Sequence, residues 1–194
     1  MGRIVVTQFI SLDGVVEDPG GSEDFKHGGW SFAFSRGDDG DKFKFDEVQE
    51  AEAQLLGRVT YEGFAAAWPN YSDEVGFADK MNTMPKYVVS STLDEAEWNN
   101  STILSGDVVE EVTKLKEDVD GVILIAGSVQ LVQALTEHDL VDEYRLMVFP
   151  VILGSGKRLF GETSDKKTLR LVDSKMVGDG VAVLTYEPAE SPSQ

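Results

Sequence analysis

Ile123-Leu124-Ile125-Ala126-Gly127-Ser128 is an unbroken apolar run that ends in small and hydroxylic residues, and two other stretches repeat the shape. Leu56-Gly57-Arg58-Val59-Thr60-Tyr61-Glu62 leaves a second apolar run, and Val88-Val89 leads into Ser90-Ser91. A buried strand that breaks into glycine, serine or threonine sets backbone N–H groups and hydroxyls at the mouth of an α/β sheet, where anions bind. Three such mouths fit one long phosphorylated ligand.

The rest of the chain extends this pattern. Residues 3–10 are apolar and β-branched, as in a central strand. Residues 11–40 are rich in Gly and Asp, with Trp30, Phe32 and Phe34 among them; a loop this long in a compact domain is usually a lid or a pocket wall. The spacing predicts a helix over 41–52, a strand over 53–57, a helix from Thr60 to just before Pro69, a helix over 73–84 and a strand over 86–90. Asp107 with Glu110 makes a capping-box-like start to a helix over 107–116 that turns Val108, Val109, Val112 and Leu115 to one side. A strand over 121–126 follows, and Ser128 is placed to cap a helix whose Leu131, Val132 and Leu135 face the core. Strands over 144–149, 169–177 and 181–186 complete the chain. Strands that alternate with helices and finish in an antiparallel pair predict a three-layer α/β/α fold around a mostly parallel mixed sheet. One domain over 1–187 and a flexible tail over 188–194 are expected.

Composition removes several classes of function. With 17 basic and 35 acidic residues the formal net charge is −18, and without basic clusters the chain is not expected to bind nucleic acid or anionic membranes. It contains no cysteine and two histidines, so disulfides, thiolate nucleophiles and Cys-ligated zinc are excluded and no metal is expected. No apolar run approaches the ~18 residues of a membrane span and the start lacks a secretion signal, so the cytoplasm is the expected location. Gly154-Ser155-Gly156-Lys157-Arg158 lacks Walker spacing, and no Gly-x-Ser-x-Gly elbow occurs.

Phe9-Ile10-Ser11-Leu12-Asp13-Gly14, Gly57 to Glu62, Val89-Ser90-Ser91, Ala126-Gly127-Ser128, and Val141-Asp142-Glu143 leading to Pro150 through Phe160 together resemble the dihydrofolate reductase superfamily. Within it the chain is similar to the C-terminal reductase domain of bifunctional riboflavin-biosynthesis deaminase/reductases, from about Arg3 to Tyr186. The resemblance implies a dihydrofolate-reductase-like fold, NADPH as cofactor, a small-molecule substrate and a homodimer through the C-terminal strands. On the cofactor side it implies Gly57, Arg58, Val59 and Thr60, then Ser90 and Ser91, then Ala126, Gly127, Ser128, Val129 and Gln130. The chemistry agrees: glycine lets backbone approach a pyrophosphate, Arg58 offers a planar fork to a 2'-phosphate, and Thr60 stands at a helix start. The local alternatives are that Arg58 pairs with a surface carboxylate, Thr60 and Ser128 cap helices, and Ser90-Ser91 is a turn. Two positions depart from the pattern: Ala126 replaces the first glycine of a pair, and Ile125 replaces an acidic residue of the riboflavin-pathway reductases.

On the substrate side, Asp13 either contacts substrate and lends a proton, anchors a loop, or is ordinary turn chemistry. Asp41 lies where dihydrofolate reductases carry a pterin-binding helix carboxylate, with Phe45 one turn later, or it is an N-cap. Trp30 and Tyr61 either stack on a flat substrate or fill the core. The expected activity is hydride transfer from NADPH to a small conjugated C=N or C=O group, pterin- or pyrimidine-like; the alternative is a nucleotide-binding or scaffold protein of the same fold without turnover.

Overall fold

The computed structural model describes residues 1–189. Runs such as Ile4-Val5-Val6 and Ile123-Leu124-Ile125 are buried on both faces, as the inner strands of a parallel sheet must be. In chain order the elements are β1 (Arg3–Ser11), α1 (Gly37–Glu50), β2 (Ala51–Gly57), α2 (Arg58–Ala67), α3 (Phe77–Thr83), β3 (Lys86–Val89), β4 (Ser101–Leu104), α4 (Val108–Asp118), β5 (Val122–Ala126), α5 (Val129–Glu137), β6 (Glu143–Phe149), β7 (Leu169–Val177) and β8 (Val181–Pro188). They build one eight-stranded sheet in the order β4-β3-β2-β5-β1-β6-β8-β7. β1 to β6 pair in parallel, β8 is antiparallel to β6, and β7 is antiparallel to β8.

Alternate side chains divide the core between the two faces. Ile4, Val6, Ile10, Leu55, Ile123 and Ile125 pack against Val112 and Leu115 of α4 and Leu131, Val132 and Leu135 of α5. Val5, Leu56, Val88, Val122 and Leu124 meet Val48 of α1, Tyr61 of α2 and Met81 of α3. Beside this second face, Trp30 from the long loop packs with Met147, Phe149, Val177, Val181 and Val183. No helix among the described residues is long and apolar enough to cross a membrane.

Several boundaries differ from the sequence expectation. α1 begins at Gly37 rather than Asp41, because Asp38 and Asp39 place negative charge in its first turn and favour the earlier start. Asp73 is not helical; its carboxylate accepts from the N–H groups of Val75, Phe77 and Ala78 and holds the approach to α3. β4, absent from the sequence reading, is a four-residue edge strand paired with β3, too short to show a period. Pro188, assigned to the tail, closes β8 opposite Leu169; 190–194 of that tail lie outside the described residues. Asp107 does cap α4, accepting from the N–H groups of Val109 and Glu110.

The core also encloses a cation. Lys86 on β3 is fully buried, donates from Nζ to the carbonyls of Asn82, Met84 and Asn99 at 2.9–3.0 Å, and lies 4.2 Å from the centre of the Trp98 ring. Burial pushes its pKa down to about 8 from an ordinary 10.5. Between those values the unfolded chain binds more protons than the folded one, so this residue's contribution to stability rises with pH. Urea unfolding of wild type and Lys86→Met from pH 7 to 10.5 is expected to show the wild type gaining on the variant through this window; a constant difference contradicts the burial argument.

Candidate functional site

From β2 the chain turns outward through α2 to β3, and from β5 it turns the other way through α5 to β6. Adjacent strands whose connections diverge open a crevice at their carboxyl ends, the switch point where α/β proteins bind ligands. Two reciprocal hydrogen bonds tie its sides. The Gly57 N–H donates to Ser128 Oγ at 2.9 Å, and the Ser128 N–H donates to Thr60 Oγ1 at 3.0 Å. Gly127 has φ +63°, and a Cβ there would stand 2.9 Å from Thr60 Oγ1, so conformation and space both call for glycine. Ser128 heads α5 at φ +55° without capping it; its hydroxyl is committed across the crevice instead. The Gln8 side chain, buried on β1, donates to the Gly127 carbonyl at 2.6 Å. The N-termini of α2 and α5 are thereby fixed at one mouth.

The expected cofactor residues divide into two groups. Gly57, Arg58, Thr60, Ala126, Gly127 and Ser128 come together at this mouth, with Val59 exposed on the first turn of α2, Val129 half-buried and Gln130 exposed on the first turn of α5. Arg58 is about half exposed and reaches both Glu62 carboxylate oxygens at 3.1 Å, the surface pairing foreseen as its alternative. An exposed i,i+4 pair contributes at most about 1 kcal/mol, so an anion can draw the guanidinium away. Ser90 and Ser91 lie one strand further out. Ser90 Oγ accepts from the Thr92 and Leu93 N–H groups and closes a turn, and Ser91 is exposed.

The expected substrate residues fall mostly into structural roles. Asp13 accepts from Ser11 Oγ at 2.7 Å and from the Leu153 and Gly154 N–H groups at 3.1 and 2.9 Å. These bonds hold its pKa at about 2, so near neutral pH it has no proton to give, and the loop-anchoring role is the one its geometry supports. Trp30 is buried, edge-on to Phe149, with Nε1 donating to the Glu17 carbonyl. Tyr61 is buried, and its hydroxyl accepts from the Trp98 N–H. Trp30 fills core, and Tyr61, though largely buried, forms part of the wall of a cavity between α2 and residues 93–98. Asp41 is exposed and paired with Arg36 at 2.7 Å, and Phe45 is half-buried. The buried carboxylate of α1 is Glu47, joined with Lys44 to Thr7 of β1. Sequence reasoning passed over Gln8, Lys44 and Glu47; the available signal was Thr7-Gln8 inside an otherwise apolar strand.

A cavity of about 610 Å³ lies between α2 and residues 93–98, but Glu62, Glu95 and Glu97 on its lining carry the wrong sign for a phosphate. The crevice between β2 and β5 is the better candidate. Gly127→Ala is expected to lower the urea midpoint, destabilising the protein by about 1–3 kcal/mol through the positive φ and the collision with Thr60. An unchanged midpoint would mean that the two sides are not interlocked.

Residues 3–183 match the RibD C-terminal domain family. Two uncharacterized proteins of Bacillus subtilis (strain 168) are similar over nearly their whole lengths: YyaP, 28% identical with 95% of this chain and 94% of YyaP covered, and YwjB, 31% identical with 89% and 90% covered. A putative riboflavin biosynthesis protein from Shewanella sp. PV-4 superposes with a TM-score of 0.77 at 21% identity, covering 97% of this chain and 99% of that one. Dihydrofolate reductase from Enterococcus faecalis, solved with NADP(H), gives 0.57 at 17% identity, with 97% of each chain covered. A Thermotoga maritima diaminohydroxyphosphoribosylaminopyrimidine deaminase/5-amino-6-(5-phosphoribosylamino)uracil reductase gives 0.62 at 17% identity over 97% of this chain and 57% of that one. The chain has the dihydrofolate-reductase-like α/β fold and belongs to the RibD C-terminal domain family.

Proposed function

We propose that this protein is an NADPH-dependent reductase of a small conjugated C=N or C=O substrate of pyrimidine or pterin type. The observation that carries the reading is the interlocked crevice, where Gly57, Gly127 and Ser128 bring two helix N-termini to one mouth beside an exchangeable Arg58. Helix N–H groups at this mouth suit a pyrophosphate, and Gly127 lets the β5–α5 turn seat closely against Thr60. Arg58 would take the 2'-phosphate, which favours NADPH over NADH. When bound, the nicotinamide would supply hydride. The reductase activity and NADP(H) in the names of structural relatives support the same reading.

Thermal unfolding with NADPH, NADH or no ligand tests the cofactor. Saturation at ~100 times Kd adds about 2.7 kcal/mol, several degrees for a domain of this size. NADPH is expected to raise Tm more than NADH, and Arg58→Ala to abolish most of the difference. NADPH oxidation with a ribosylaminouracil, dihydrobiopterin and phenanthrenequinone then tests turnover. No shift with either nucleotide would overturn the reading, and binding without turnover of any probe would favour the scaffold alternative.

The second part of the proposal is a homodimer through β7. This outer strand exposes Leu171, Val172 and Met176. Antiparallel pairing of two copies about Ser174 would set Asp173 against Lys175 and Val172 against Met176 in both directions. Light scattering is expected to give twice the 21.2 kDa chain mass, and Lys175→Asp, which sets like charges opposite each other, to shift it toward one chain. A wild-type mass of one chain contradicts the dimer.

A further inference from the structure

The floor of β1 beneath α1 carries a charged cluster that the cofactor crevice does not use. Thr7 is buried in mid-strand, in register with Ala126 of β5 on one side and Arg145 of β6 on the other. Its hydroxyl donates to Glu47 Oε1 at 2.9 Å and accepts from Lys44 Nζ at 2.9 Å, and Lys44 also pairs with that Glu47 oxygen. Lys44 Nζ lies 5.1 Å from the centre of the Phe9 ring, one step further along the same face toward the carboxyl end of β1. The cluster therefore stands beside Ala126, the residue that leads into the Gly127 turn.

The distribution of exposure is unequal. The Glu47 side chain is 1% exposed and its Oε2 has no partner, whereas that of Lys44 is 19% exposed. A buried ion pair is often no more stabilising than apolar residues of the same volume, and an unpaired buried acceptor is destabilising, so fold stability alone does not account for this arrangement. The ammonium has three hydrogens, and Thr7 and Glu47 engage two. One remains for a ligand.

We propose that Lys44 is the proton donor of the reduction. The role rests on the reductase reading above. With hydride supplied by a bound nicotinamide, the π pair of the substrate C=N or C=O bond would pass to its nitrogen or oxygen, which would take a proton from Lys44 Nζ. The amine left behind regains a proton from solvent through its exposed side. Thr7 and Glu47 position Nζ, and Asp13 takes no part because its oxygens are committed to the 153–154 loop.

The test compares wild type, Lys44→Met, Lys44→Ala and Lys44→Met/Glu47→Met. The double variant leaves no unpaired buried carboxylate and guards against misfolding. NADPH oxidation is followed with dihydrobiopterin as C=N probe and phenanthrenequinone as C=O probe, alongside the NADPH-induced thermal shift. The variants are expected to keep the thermal shift and the KM for NADPH while kcat falls about 100-fold or more, and ethylammonium is expected to restore part of the rate in Lys44→Ala. Variants that bind NADPH and turn over at the wild-type rate overturn this role alone. A rate loss that ethylammonium does not restore marks a structural ion pair and overturns it too. A wild type that binds NADPH and reduces neither probe removes the reductase reading, and this role with it.

Discussion

The site depends on one reciprocal constraint, the exchange of hydrogen bonds between the β2–α2 and β5–α5 turns. Each bond, Gly57 N–H to Ser128 Oγ and Ser128 N–H to Thr60 Oγ1, is worth only about 1 kcal/mol net. Their effect is geometric more than energetic, because they fix the separation of two helix N-termini that parallel strands alone would leave adjustable. Gly127 is the residue that makes the exchange sterically achievable, and Gln8 holds its carbonyl from the neighbouring strand. An anion held at this mouth, as proposed, would meet the first-turn N–H groups of α2 and α5 already in place, leaving little ordering for binding to impose.

The electrostatics follow a local logic. A chain of net charge −18 is a poor general attractor for a dinucleotide, but charges beyond about 8 Å are screened at physiological ionic strength. Arg58 stands at the mouth in a pair with Glu62 that solvent already weakens. Asp13, just beyond β1, has its carboxylate held on the 153–154 amides. Residues 11–40 read in sequence as a lid or a pocket wall; 37–40 belong to α1, and the loop before them is held by Trp30 against Phe149 and by Asp18, whose carboxylate accepts from the Ser22 and Glu23 N–H groups.

Much of this was legible in the sequence, for local reasons. Buried parallel strands must be apolar on both faces, so β1 and β5 announced themselves, and Asp107 capped α4 as its spacing required. What escaped was set by distant partners. Ser128 reads as a helix cap until a donor 71 residues away claims its hydroxyl. Trp30 and Tyr61 look like ligand platforms, and only packing shows that both are buried. Lys44 and Glu47 resemble one more surface pair on an acidic helix, because nothing local reveals that this side of α1 lies on Thr7.

The central claim is that the crevice between β2 and β5 is where a reduced dinucleotide binds. Hydrogen–deuterium exchange of the wild-type protein with and without saturating NADPH tests it most directly. Slowed exchange is expected at the amides of Gly57 to Tyr61 and Gly127 to Leu131, with no change in residues 93–98 beside the acidic cavity. Protection confined to 93–98, or absent everywhere at saturation, would contradict the account.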